Sequence, residues 1–176
     1  MPQPDGYPLD TPNPYPVGEI AAAWERERPG TPVDSIGVVT PLWRLAKLFA
    51  DDRRRLLAEV KVDPATLDLL SVLRRSGSPY ELTTRELTRR TLVTAAAISQ
   101  RVARAEAAGL VTRRTARDGS RAVVVSLTGK GHDLVETTVD AVLTRESELL
   151  SSLSPRQRSV LAGQLQRLLA DVSRRI

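Results

Sequence analysis

Between residues 83 and 131 the chain orders its local signals in a way that few folds can satisfy. Thr83 and Glu86 have the S/T-x-x-E spacing of a capping box, which opens a short helix running to about Arg90. Thr94 can cap the next helix, in which Ile98, Val102 and Ala105 recur at i, i+4 and i+7 and face inward. Gly109 follows as the left-handed stop. Leu110, Val111 and Thr112 then begin a strand, and the β-branched run at 122–127 supplies its partner. Asp118, Gly119 and Ser120 suit the tip of the hairpin between them. Two short helices at a turn are common in all-α domains. A hairpin placed directly after the second helix turns the pattern into a winged helix-turn-helix.

The charge follows the same segment. Residues 83–121 hold nine arginines (85, 89, 90, 101, 104, 113, 114, 117 and 121) against three acids (Glu86, Glu106 and Asp118), a net +6. The whole chain carries +5, so the remainder sums to −1. Basic charge focused on one module is the footprint of a surface that faces nucleic-acid phosphates. The duller alternative, arginines that merely solvate a surface, does not account for the clustering.

The rest of the chain frames this lobe. Proline stands at positions 2, 4, 8, 12, 14 and 16, so residues 1–16 form an extended arm rather than a helix. Residues 17–28 read as one short helix stopped by Pro29 and Gly30, giving an extra N-terminal element at 17–30. Scaffold or dimerisation helices fill 34–80. One runs from Pro41 to about Val60, and another starts at the Asp63 cap with Pro64 in the first turn and buries Leu67, Leu70 and Leu73. The DNA-binding lobe covers 81–128, and C-terminal dimerisation helices cover 129–176. The last of these opens at Ser154, Pro155 and Gln157 and carries Leu161, Leu165, Leu168 and Val172 as a stripe. Only the hairpin is expected to be β. The fold class is therefore mainly α with a small β-hairpin wing.

Composition excludes several kinds of chemistry. Without cysteine there is no disulfide, thiol sensor or thiolate-held zinc, and a single histidine, His132, argues against a His-rich metal site. No nucleophile–base set and no phosphate-cradling glycine loop is present, so no catalytic residue, metal or cofactor is assigned and an enzyme is the least favoured class. No apolar run reaches membrane-spanning length and no signal-peptide core is seen. These features point to a cytoplasmic protein, nucleoid-associated when bound to DNA.

A helix that enters the major groove N-terminal end first would present Thr94, Ala95, Ala96, Ser99, Gln100 and Arg104. Gln100 can read an adenine edge and Arg104 a guanine or a phosphate, while the two alanines allow close approach. Arg117 and Arg121 at the wing tip would enter the minor groove or grip the backbone.

The order of these elements, closed by Leu127-Thr128-x-x-Gly131 and with Asp118 and Arg121 in an Asp-x-x-Arg wing, resembles the MarR family of bacterial regulators over nearly the whole chain. That resemblance implies a homodimer built from the N- and C-terminal helices, with two winged lobes on double-stranded DNA. Within the family the chain looks like the urate-responsive branch (PecS- and HucR-like). It has the extra N-terminal helix, with Trp24 in the place of a pocket tryptophan, and Asp68, Arg101 and Arg113 match the other three pocket positions. The longer Pro-rich arm departs from the pattern. Urate is a flat monoanion at neutral pH, for which arginine offers a planar fork and tryptophan a stacking face and one N–H. An arriving anion would repel Asp68. With Arg113 as its expected salt-bridge partner, that repulsion would pull on the strand joined to the recognition helix.

Each of the four residues has an ordinary reading as well. Trp24 can be a core or dimer aromatic, like Trp43 and Phe49. Asp68 can be a helix acid paired with Arg75 or Lys61, Arg101 a phosphate contact, and Arg113 a solvated strand residue. The resulting expectation is a ligand-responsive regulator, a repressor released from a pseudo-palindromic operator by urate or a related purine anion. Two alternatives stand beside it. One is a MarR-type regulator of another aromatic anion, such as a phenolic acid or antibiotic. The other is an architectural DNA-binding protein without an effector.

Overall fold

The computed structural model describes residues 16–116 and 122–176, which divide after Arg55 into two compact units. The first holds helix α1 (Val17–Glu27) and most of α2 (Ile36–Glu59). The second holds α3 (Pro64–Arg74), β1 (Glu81–Thr83), α4 (Thr84–Thr91), α5 (Ala95–Ala107), β2 (Val111–Thr115), β3 (Val123–Leu127), α6 (Gly129–Leu149) and α7 (Pro155–Ser173). No helix among the described residues is long and apolar enough to cross a membrane.

Two sequence expectations change. Helix α2 begins at Ile36, five residues before Pro41, so this proline lies inside the helix rather than at its start. It falls in the second turn, where its missing N–H costs one bond to the Gly37 carbonyl and the helix continues past it. The hairpin is also not the whole of the β-structure. β1 pairs with β3 (Glu81 opposite Ser126, Thr83 opposite Val124), and β2 pairs with β3 on its other side (Val111 opposite Leu127, Thr115 opposite Val123). The result is an antiparallel sheet in the order β1-β3-β2.

Local chemistry sets the helix starts of the second unit. Asp63 Oδ1 accepts from the Ala65 and Thr66 N–H groups, with Pro64 in the first turn of α3. Thr83 ends β1 and caps α4 in the same step. Its hydroxyl accepts from Glu86 N at 3.2 Å, and its own N–H and hydroxyl donate to Glu86 Oε2 at 2.8 Å. Those bonds hold the Glu86 carboxyl below the usual glutamate range. Thr94 caps α5 by accepting from Ala97 N, and Ser154 opens α7 with a full capping box.

The core of this unit gathers Leu67, Leu70 and Leu73 of α3, Leu87 of α4, Ile98, Val102 and Ala105 of α5, Val125 of β3 and Val135 of α6. α5 ends at Gly109, which adopts φ +72. Beyond it the carbonyls that close α5 are taken by the residues that open α6. Lys130 Nζ donates to Ala108 O at 2.8 Å, Thr128 Oγ1 to Gly109 O at 2.7 Å, and Thr128 N to Leu110 O at 3.1 Å. Gly131 sits under the Leu110 carbonyl so closely that a Cβ there would lie 2.1 Å from the oxygen. Among the described residues the apolar stripe of α7 stays open: Leu161, Leu165, Leu168 and Val172 are each exposed by about two-fifths. Trp43 of α2 is also exposed, while Phe49 is half-buried, so Trp43 is not a core residue of the single chain.

Candidate DNA interface and effector site

Helix α5 separates its two faces cleanly. Ile98, Val102 and Ala105 are buried against α3, α4 and the sheet, whereas Thr94, Ala95, Ala96, Ser99, Gln100 and Arg104 are all exposed. The expected outward set is therefore outward, on a helix fixed from behind by packing. Arg117 and Arg121 lie outside the described residues.

Two further cations share this surface. Arg85 and Arg89, one turn apart on α4, line a groove of about 430 Å³ with Thr84, Thr88, Ala95 and Ser99. Thr88 turns its hydroxyl back to donate to Thr84 O, so the arginines are the groove's charged donors. Sequence reasoning counted these arginines as charge and left them out of the DNA-contacting set. The signal that could have found them is the i, i+4 pair on the helix preceding the recognition helix.

The basic charge is divided in a way its sum does not reveal. Arg101 Nη1 stands 3.9 Å from Asp68, Arg114 Nη2 2.5 Å from Glu81, and Arg113 pairs with Glu106. Arg85, Arg89, Arg90 and Arg104 make no ion pair among the described residues. All four are exposed.

The effector residues fall into place differently from the sequence expectation. Asp68 on α3 meets Arg101 on α5, not Arg113, and neither Lys61 nor Arg75 is its partner. Arg75 instead donates to Ser71 O in its own helix. The Arg101 side chain is 19% exposed against 58% for Asp68, so the guanidinium is the more enclosed member. Arg113 donates from Nε to Glu106 Oε2 at 2.7 Å, and its Nη2 reaches the same oxygen. The reason is local. Gly109 reverses the chain between α5 and β2 and brings the last turn of the helix against the strand it feeds. The pair shifts both groups: Arg113 holds the Glu106 carboxyl below the usual range, and Glu106 raises the guanidinium further. Trp24 lies on α1 in the first unit and is half exposed.

A second concavity of about 390 Å³ lies within the second unit. Val60, Leu110, Leu134 and Ala141 give it apolar walls, with Lys130, Asp133, Thr137 and Thr138 among them.

A three-stranded wing beside a capped helix with one buried and one polar face defines a winged helix-turn-helix protein. The MarR family model matches residues 61–122, so the chain carries a MarR-family domain. It is 26% identical to the HTH-type transcriptional regulator PecS of Dickeya dadantii (strain 3937) over 152 residues, covering 86% of this chain and 92% of that protein. Among solved structures it resembles a MarR family protein from Bacillus stearothermophilus (TM-score 0.66, 22% identity, 79% of this chain and 96% of that one). It also resembles Bordetella bronchiseptica BpsR, described in terms of regulation of its DNA binding by 6-hydroxynicotinic acid (TM-score 0.63, 21% identity, 77% and 94%). Its fold is that of the MarR-family winged-helix regulators.

Proposed function

We propose that the chain is a transcriptional repressor that binds a pseudo-palindromic operator as a homodimer and is released by urate or a related purine anion. The carrying observation is that α5 holds both outward-facing polar side chains and an arginine set against an acid of another helix. α5 presents Gln100 and Arg104 outward, while Arg101, between them in sequence, is turned back to Asp68. An anion that takes Arg101 from Asp68 acts on the element that reads DNA. Its effect on DNA affinity is set by how differently it binds the two arrangements of that helix. The uncovered stripes on α2 and α7 support the dimer, since a second copy would remove them from water. Two recognition helices would then sit about one DNA turn apart, roughly 10 bp. The roles of Trp24 and Arg113 in the pocket belong to this proposal, as do Arg117 and Arg121 on DNA and a place in the cytoplasm.

The test is a DNA titration with a selected operator, with and without urate. Urate is expected to weaken binding by the wild type and to have no effect on Arg101→Ala. An Arg101→Ala protein still released by urate rejects the assignment.

The mainly apolar cavity with Lys130 at its wall favours a second reading, in which the effector is an aromatic carboxylic acid bound there. The ligand named for BpsR is of that kind. Release by an aromatic carboxylate, lost in Lys130→Ala and retained in Arg101→Ala, would select this reading.

A further inference from the structure

Thr138 of α6 is the one polar residue that the fold buries among the described residues, at 2% exposure. Other helical threonines return their hydroxyls to the backbone one turn back: Thr88 donates to Thr84 O and Thr91 to Leu87 O. The Thr138 hydroxyl makes neither that bond nor any other among the described residues. No buried side-chain polar atom is left sealed and without a partner, so this hydroxyl opens into the cavity of about 390 Å³ that Thr138 lines with Val60, Leu110, Lys130, Leu134 and Ala141. A hydroxyl both donates and accepts. On a mainly apolar wall, a ligand that covers it without answering it leaves a buried polar group unpaired.

We propose that Thr138 is the specificity residue of this cavity: its hydroxyl selects an aromatic carboxylate that carries a second, uncharged hydrogen-bonding group at the end opposite the carboxylate. This rests on the aromatic-carboxylate reading given above. Lys130 and Thr138 line the cavity from one face of α6. Their positions differ by eight residues, about 12 Å along the axis at 1.5 Å per residue. The lysine stem takes up part of that span and a para-substituted ring the rest. Lys130 Nζ donates to Ala108 O and keeps further N–H donors for a carboxylate. Asp133 stands on the same wall, so a second carboxylate would be repelled there. The ligand is therefore a monoanion whose far end is neutral, such as a hydroxyl or a ring carbonyl. Plain benzoate fills the apolar space and leaves Thr138 unanswered.

The test compares 4-hydroxybenzoate with benzoate by calorimetric titration of the full-length wild type and of Thr138→Val, which keeps the side-chain shape and removes the hydroxyl. The ratio of the two affinities is the readout. The wild type is expected to prefer 4-hydroxybenzoate roughly fivefold, the scale of one net hydrogen bond. In Thr138→Val the ratio is expected to fall to about one, with benzoate bound as well as before, on the same hydrogen-bond scale. A preference that survives in Thr138→Val, or a wild type that binds both acids equally, overturns the proposal alone. A wild type that binds neither acid overturns both the proposal and the aromatic-carboxylate reading. Thr138→Ser keeps the hydroxyl and is expected to keep the preference. It carries the test if Thr138→Val fails to fold, since a folded Thr138→Ser protein without the preference overturns the proposal.

Discussion

Replacing Gly131 with alanine places one methyl group against a fixed backbone. The new Cβ would lie 2.1 Å from the Leu110 oxygen and 3.1 Å from its carbonyl carbon, with Leu127 Cδ2 at 3.2 Å. Contacts under 3.0 Å are essentially never made by a real Cβ, so α6 and the start of β2 must part by close to 1 Å. That movement stretches three bonds at once, from Lys130, from the Thr128 hydroxyl and from the Thr128 N–H. At about 1 kcal/mol net for each, their weakening costs about 2–3 kcal/mol. Overpacking around buried Leu110 and Val111 adds about 1–2 kcal/mol. Alanine returns about 1 kcal/mol in helix propensity. The net loss is about 2–4 kcal/mol, which for a chain of this size lowers the melting temperature by about 4–16 °C. Gly129→Ala is the control, because a Cβ there meets nothing within 4 Å, and it should be neutral or slightly stabilising. Urea unfolding followed by circular dichroism measures both. A Gly131→Ala protein within about 0.5 kcal/mol of wild type, the ordinary range for harmless surface changes, would refute the close-approach argument.

Other consequences are open to measurement. Removing Arg85 and Arg89 together should weaken binding equally on operator and random DNA and reduce the slope of log K against log salt by about 2, because each phosphate contact contributes about 0.9. A change confined to the operator would mean that they read bases. Glu86 titrates below the usual glutamate value in the folded chain, so its contribution to stability is complete above the unfolded value and is lost as pH falls through the depressed one. The stability gap between wild type and Glu86→Gln should therefore be constant from pH 7 to 5 and close below about pH 4, the glutamate range. A gap independent of pH in urea midpoints would show that Thr83 does not favour the charged form.

The elements most legible in the sequence were those with a polar start signal and a periodic apolar face. Thr83 with Glu86, Thr94 and Ser154 each opened the expected helix, and Ile98, Val102 and Ala105 were buried as their spacing required. Gly109 took the left-handed stop. β1 was not legible, because three residues carry no alternation and its partner Ser126 lies 45 positions away from Glu81. The start of α2 was misplaced because proline is commonest in a first turn, whereas here the helix has already begun at Ile36. Charge was legible as a total and illegible as a set of pairs. Glu106 meets Arg113 only because the chain reverses at Gly109, and Asp68 meets Arg101 only because α3 packs on α5. The partnership of Asp68 thus needed the tertiary contacts.

The splice between α5 and α6 has a mechanical consequence. Ala108, Gly109 and Leu110 give their carbonyls to Thr128 and Lys130, and Gly131 leaves no slack beneath them. The end of α5 and the beginning of α6 therefore travel as one rigid piece. α6 has 21 residues and is about 30 Å long at 1.5 Å per residue. A 5° tilt about its far end carries the end of α5 by about 3 Å, close to the rise between successive base pairs. A lever of that length turns a small tilt at the Leu149 end of α6 into a displacement of about 3 Å at the end of α5.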